Sequence, residues 1–239
     1  MQHSVAHIEH NARGMLASAD PEHLHQLRVN QRRLRAALRA FRRLLPRKKR
    51  KRLIAELRKL SPILGAARDW DVLLGRAQVS GDARAVAAKA RAAALRTVQS
   101  KKFARMLEHA RALEAGATDE TLHEFAAHAL ERAHRKLLKD VDWTNASRRH
   151  AVRIRVKRLR YTAEFFAEAF PAAPAYIAAL KDLQSLLGEL NDIAVGRRLA
   201  GVEADEAALL KRLGPAWTRF EKRPPFWRAA GRRPRRASR

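Results

Sequence analysis

His25-Gln-Leu-Arg28-Val29-Asn30-Gln-Arg32-Arg33-Leu34-Arg35 returns 125 residues later as His150-Ala-Val-Arg153-Ile154-Arg-Val-Lys157-Arg158-Leu159-Arg160. A second pair follows in the same order: Leu60, Leu64-Gly65 and Asp69 recur 123 residues on as Leu183, Leu187-Gly188 and Asp192. Two ordered matches at nearly one offset mark a duplicated helical unit. The repeated element is a basic helix face headed by a histidine, and a face of that kind suits an anionic partner.

Working outward, Asp20-Pro21 supplies an N-cap and a first-turn proline for a helix ending before Pro46. Leu27, Leu34, Leu38, Phe41 and Leu45 give that helix a core stripe. Arg47 to about Ala77 predicts a helix bent or broken at Pro62, closed by Ser80-Gly81-Asp82. Asp82 to Leu113 predicts an Ala- and Arg-rich helix interrupted near Ser100, and Thr118 or Asp119 caps the next one. The second copy of the motif lies on a helix from Ser147 to Phe170, with Val152, Val156, Leu159, Ala163, Phe166 and Phe170 facing the core. Helices over 175–199 and 204–221 complete the pattern, and no strand periodicity survives. The expected fold is all-α: two antiparallel four-helix bundles related by an internal pseudo-twofold repeat. They form one domain over residues 1–221, with halves of about 1–116 and 117–221. Residues 222–239 read as an unpacked, flexible basic tail from Pro224 onward.

The chain has 239 residues, 51 Lys and Arg against 24 Asp and Glu, and a formal charge of +27. Eight of the cations stand at 222–239, so the body remains strongly basic without them. Such a charge repels itself unless an anion relieves it, and nucleic acid, a polyphosphate or an anionic membrane surface would each do so. Cysteine is absent, which excludes disulfides and thiolate metal sites and fits a cytoplasmic location. No apolar run reaches the roughly 18 residues of a membrane span, and the first residues lack the apolar stretch of a signal peptide. No membrane partner is expected.

On a helical wheel Arg28, Arg32, Arg35, Arg39 and Arg42 fall within about 80° of one another, with His25 one turn ahead. His150, Arg153, Lys157 and Arg160 form the equivalent stripe, which Glu164 ends. Arginines one turn apart stand about 6 Å apart, and their planar forks pair with phosphate oxygens. A solvated face with good helix propensity is the plain alternative. Between His23 and Ala55, however, there are 13 Arg and Lys and no acid, so pairing within that helix cannot satisfy the stripe. The duplication strengthens the anion reading further. His25 and His150 are candidate donors to phosphate oxygens. Asp69 and Asp192 are candidates to orient the arginines, with an N-cap or surface ion pair as the equal alternative. Arg58 and Lys181 correspond at the 123 offset and could extend the basic faces.

These residues resemble the CHAD family, the conserved histidine α-helical domain. Four stretches carry the resemblance: Asp20-Pro21-Glu22-x-x-His25-Gln-Leu-Arg28-Val29 continuing through Arg32-Arg33-Leu34-Arg35-Ala-Ala-Leu38; Leu64-Gly65-x-x-Arg68-Asp69-x-Asp71-Val72; His150-x-x-Arg153-Ile154-x-x-Lys157-Arg158-Leu159-Arg160-Tyr161-x-x-Glu164; and Leu180-Lys181-x-Leu183-Gln184-x-x-Leu187-Gly188-x-Leu190-Asn191-Asp192. The resemblance spans about residues 5–220. It implies two four-helix bundles around a basic surface, binding of inorganic polyphosphate and association with polyphosphate granules. It brings Arg33 and Arg158 into the expected phosphate-binding set. The Glu-x-Glu-x-Lys pattern of a triphosphate tunnel domain is absent, so binding without hydrolysis is expected, with no cofactor.

Other chemistry is poorly supported. His123-Glu124-x-x-x-His128 places its histidines about 140° apart, where a zinc-protease helix needs them on one face. His3, His7 and His10 share a face, but a solvated helix explains them better than a metal. No P-loop, dinucleotide fingerprint, catalytic triad or carboxylate cluster for a hydrolytic metal occurs. The rival partner is nucleic acid, bound by the basic faces and the Arg-rich tail. Against it, aromatic residues are few (6%) and do not interleave with the stripes.

Overall fold

The computed structural model describes residues 1–75, 81–201 and 204–229. Among these the chain is entirely helical: α1 (Gln2–Ala17), α2 (Pro21–Ala40), α3 (Arg47–Leu74), α4 (Gly81–Val98), α5 (Lys101–Arg111), α6 (Leu122–Leu138), α7 (Ala146–Phe165), α8 (Ala173–Ala200), α9 (Ala207–Glu221) and α10 (Phe226–Ala229), with a 3-10 turn at Ala167–Ala169. No described helix is long and apolar enough to cross a membrane. The chain packs as two compact units. One is Met1–Ala117 with Leu199–Gly201, the other Thr118–Arg198 with the described residues after 203.

In the first unit α1 lies on α2, α2 on α3 and α3 on α4, while α5 covers α1 and α3. Asp20 Oδ1 accepts from the Glu22 amide at 2.8 Å and starts α2. Ser100 caps α5 through the Phe103 amide, so α4 and α5 are two helices meeting at the interruption that the sequence marks. Gly14 lets α2 approach α1: a Cβ there would stand 2.4 Å from Nδ1 of His23. Leu24, Leu27, Leu34, Leu38, Leu53, Leu57 and Leu64 are all buried in one core. Each contributes about 1.5–3 kcal/mol on leaving water.

Several expectations about element ends need correction. Helix α2 stops at Ala40, and residues 41–45 form a turn in which the Leu44 amide bonds the Phe41 carbonyl at 3.0 Å. The residue before Pro46 is driven out of helical geometry, which keeps this turn from rejoining α3 as one helix. Helix α3 runs unbroken through Pro62. Pro62 is exposed, so the carbonyl it leaves without a donor can turn to water, and Leu57 and Leu64 anchor the core on either side. Thr121, not Thr118 or Asp119, caps α6, in a capping box with Glu124. The expected helix end beyond Gly75, at Ala77 and Ser80, lies outside the described residues.

The second unit packs α6 on α7 and α10 on α6. The expectation of an unpacked tail from Pro224 is wrong for residues 224–229. Phe226 and Trp227 are buried, Trp227 to 1% exposure. Their rings meet Tyr176 at centroid distances of 5.5 and 5.2 Å, and Phe226 meets Phe170 at 5.1 Å. Trp227 Nε1 donates to Glu131 at 3.0 Å, and Arg228 grips the same carboxylate with two 3.0 Å hydrogen bonds. Two adjacent aromatic rings remove enough apolar surface from water to dock a four-residue helix. The terminal arginines Arg232, Arg233, Arg235, Arg236 and Arg239 lie outside the described residues.

Candidate functional site

Within the first unit, the basic stripe of α2 lies along α3. Arg28 crosses at Gly65, where a Cβ would come 2.9 Å from its Nη1. The repeated Leu-Gly step therefore has a physical meaning here: the missing side chain is the seat of a guanidinium. Arg35 Nη1 donates to Ser61 Oγ at 3.0 Å, and Ser61 is in turn fixed by its bond to the Leu57 carbonyl. Buried Gln31 reaches the same carbonyl at 2.7 Å and ties the two helices together. Arg39 Nη1 donates to the Arg35 carbonyl at 2.9 Å. Arg58, Ser61, Gly65 and Arg68 share one face of α3 by helical spacing, so exposed Arg58 continues the surface that Arg28 and Arg35 lie against.

The second unit repeats this scheme with other residues. Arg160 Nε donates to Gln184 Oε1 at 2.9 Å. Ser61 and Gln184 are 123 positions apart, so the two arginines find partners at corresponding places in the repeat. His150 Nδ1 meets Asn191 Oδ1 at 2.6 Å. Because that oxygen only accepts, Nδ1 carries the proton, and Nε2 of the neutral ring is an acceptor. His150 can therefore donate to a phosphate through Nε2 only as imidazolium. Lys181, Gln184, Gly188 and Asn191 share a face of α8 by the same spacing.

The copies also differ. Nothing stands within 4 Å of a Cβ built on Gly188, so no guanidinium sits there. Arg160 is further tied to Glu164 and lies 4.4 Å over the Tyr161 ring. Its side chain is only 13% exposed. Arg153 and Lys157 are half-buried on the same stripe.

Three expected residues fall elsewhere. Arg42 lies beyond the end of α2, in the exposed turn. Arg33 and Arg158 stand about 130° around their helices from the stripes at 100° per residue. On that flank of α7, Arg155 donates to the Lys139 carbonyl and, at 2.9 Å, to that of Asp140, closing the end of α6. Burial, and then the neighbouring Arg155 charge, push the Arg158 guanidinium below its ordinary pKa. The corresponding third residues of the two stripes, Arg32 and Lys157, keep their place and are half-buried, as is His25.

Asp69 and Asp192 are half-buried on α3 and α8. Asp71, which the sequence motif contains but to which no role attaches there, also lies among the cations of the first unit. Arg91 of α4 approaches it to 3.7 Å. Burial raises its carboxyl above the ordinary range, and Arg91, Arg68 and Arg28 act in the opposite direction. Asp71 thus anchors one end of the basic face electrostatically, with Arg91 as an additional cation that only the α3–α4 packing reveals. Among the described residues no group of three or more His, Asp or Glu side chains is placed to hold a metal.

The glycine contrast gives a paired expectation. Gly65→Ala should displace the flexible end of Arg28, weakening anion binding about tenfold with little loss of stability. Gly188→Ala should leave binding unchanged and stabilise α8 by roughly 0.5–1 kcal/mol. Titration calorimetry and urea unfolding of both variants check this. Equal effects of the two substitutions on binding would refute the seat assigned to Arg28.

The charge of the folded body is uneven. Residues 1–117 carry 26 Lys and Arg against nine Asp and Glu, whereas residues 118–221 carry 17 against 15.

The CHAD domain profile matches residues 1–201. The chain is similar to the crystal structure of the CHAD domain from the plant Ricinus communis, with 31% identity over 95% of this chain and 86% of that one and a TM-score of 0.65. It is also similar to PptA from Streptomyces chartreusis, at 17% identity over 90% and 98% of the two chains and a TM-score of 0.55, a likeness of fold alone. No curated protein matches the chain in sequence.

Proposed function

We propose that the chain, which belongs to the CHAD domain family, binds inorganic polyphosphate without cleaving it. The observation that carries this reading is the α2 face: arginines at 28, 32, 35 and 39, one helical turn apart, with Arg28 set over Gly65 and Arg35 fixed by Ser61. A regular row of guanidinium groups matches a regular row of phosphates, and each contact releases counterions from the polymer. The α7 face, with His150, Arg153 and Lys157, supplies a second and weaker row. Among the described residues no three His, Asp or Glu side chains stand together to hold a hydrolytic metal, and the reading is one of binding with the polymer left intact. In the cell this affinity would bring the chain to polyphosphate granules in the cytoplasm.

The test is a salt titration of binding to long-chain polyphosphate and to duplex DNA in parallel, using the intact chain and one ending at Ala229. Polyphosphate should stay bound at salt that releases DNA, in both proteins, and should be recovered at its original length after incubation with Mg²⁺ or Mn²⁺. If both polymers are held alike and both are lost with the terminal arginines, the chain is a nucleic-acid binder that works through its tail.

A further inference from the structure

The two copies of the repeat turn the same corner with opposite chemistry. The connection that follows the first basic helix reads Arg42-Arg43-Leu44-Leu45-Pro46-Arg47-Lys48-Lys49-Arg50-Lys51-Arg52, eight cations in eleven residues. Its counterpart, 125 positions later, reads Ala167-Glu168-Ala169-Phe170-Pro171-Ala172-Ala173-Pro174-Ala175-Tyr176-Ile177, with no cation and one acid. The structural requirements of the corner are met in both. Leu45 and Phe170 are buried at equivalent places, and Pro46 and Pro171 follow them. The eight cations are therefore not needed to build the turn or to start the next helix.

The first connection is also held rigidly. The Gly116 amide donates to the Leu44 carbonyl at 2.8 Å, the Arg50 amide to the Pro46 carbonyl at 2.9 Å, and Phe41 packs on the core of the first unit. Arg42, Arg47, Lys48, Lys49, Lys51 and Arg52 are exposed on this fixed corner. Arg52 pairs with Glu56, which His109 also engages, and no acid occurs between His23 and Ala55. Like charges crowded on an exposed corner repel one another, and cations in the first turn of α3 also oppose its dipole. The patch also begins where the α2 row ends.

We propose that the α2–α3 corner is an extension subsite for phosphate polymer. It is engaged only by chains long enough to run past Arg39 at the end of the α2 face. This rests on the polyphosphate reading above. From His25 to Arg39 the α2 face spans about 21 Å at 1.5 Å per residue. A chain shorter than that is held by α2 alone. A longer one continues onto the corner and gains contacts for which the second unit has no counterpart. The bound polymer is therefore held with a polarity: tightly at the first unit, with its excess length directed off the cationic corner. The ligand class is a linear polyphosphate, because the corner offers charge without exposed aromatic rings for stacking bases.

The experiment compares the intact chain with Arg47→Gln/Lys48→Gln/Lys49→Gln/Lys51→Gln, using fluorescently labelled polyphosphate of two lengths, one no longer than the α2 face and one many times longer. The variant should bind the short polymer as the intact chain does, and should bind the long one about tenfold more weakly with a shallower dependence on salt. Unchanged long-chain affinity would overturn the subsite. So would an equal loss for both lengths, since the corner would then act as a diffuse field. A loss confined to duplex DNA, run as a third arm, would also overturn it. If the intact chain binds neither length of polyphosphate, the functional reading itself fails, a result distinct from a corner that makes no difference. Unfolding of the variant in urea at or above the intact chain's midpoint confirms that the four lysine and arginine heads are not structural.

Discussion

Replacing Arg28, Arg32, Arg35 and Arg39 together by glutamine should weaken polyphosphate binding by about a thousandfold. A charge-assisted contact on a partly exposed surface contributes about 1 kcal/mol after solvent screening. Four such contacts amount to about 4 kcal/mol, and each 1.4 kcal/mol is a factor of ten. Glutamine keeps most of the aliphatic stem that each arginine lays on the helix surface, so the loss reports the charge and not a collapsed face. The logarithmic salt slope should also fall by roughly 0.7 for each phosphate contact removed. The comparison variant is Arg153→Gln/Lys157→Gln/Arg160→Gln. Its effect should be much smaller, about 2 kcal/mol or some thirtyfold by the same arithmetic. The Glu164 carboxylate already offsets the charge of Arg160 and Gln184 holds its head, so this third substitution should add little. Binding isotherms at several salt concentrations decide the matter. Equal losses in the two variants would mean that the uneven charge of the halves has no bearing on affinity.

Trp227→Ala should destabilise the second unit by about 3–5 kcal/mol, the usual range for emptying a buried tryptophan site. The ring is 1% exposed, meets Phe226, Tyr176 and His134, and donates to Glu131. Urea unfolding of the variant measures the loss, and an effect within that of a surface substitution would show that α10 is not docked. Acid should act in the same direction. Hydrogen bonds from Arg228, opposed by burial and aided by Trp227, hold the Glu131 carboxyl below its ordinary value of 4.5. A group lowered in this way stabilises the fold above 4.5, and the contribution is lost as pH falls through the depressed value. His134 is buried, and burial followed by the Arg228 charge lowers its imidazole below 6.5. Its neutral form is the one that fits, so it too stabilises above 6.5 and ceases to do so as pH drops through the lowered value. Trp227 fluorescence should therefore report loosening of α10 on acidification, as His134 and Glu131 take up protons. For the same reason, a deletion meant to remove only the terminal arginines has to stop after Ala229.

The elements were largely legible in the sequence because local chemistry determines them. Asp20-Pro21 starts α2, and Ser100 separates α4 from α5, as their residue types require. The Thr121-x-x-Glu124 box is equally legible, and its reciprocal bonds outweigh the cap that Thr118 or Asp119 offers. The packed segment at 224–229 was concealed by its surroundings: Arg223, Arg228 and the arginines beyond set the composition, while the two aromatic residues between them determine the structure. In the site, helical spacing placed Arg28, Arg32, Arg35 and Arg39 correctly on one stripe. Spacing could not tell which of two identical Leu-Gly steps receives a guanidinium, because the answer depends on a side chain from another helix. Asp71 and Arg91 escaped for a related reason. Their proximity exists only once α4 has folded back on α3, and no periodicity within either helix records it.

The location of the two cores carries a consequence for synthesis. Among the described residues, the buried core cluster of the first unit is built from residues between Val5 and Leu113. It can close while the ribosome is still translating the second half, since domains generally fold in the order in which they emerge. The second core cannot close in this way, because Phe226 and Trp227 are among its last-made residues. The core of the more cationic half can thus form first, beside ribosomal RNA, so that a strongly basic surface is folded next to a phosphate polymer before the second core is complete.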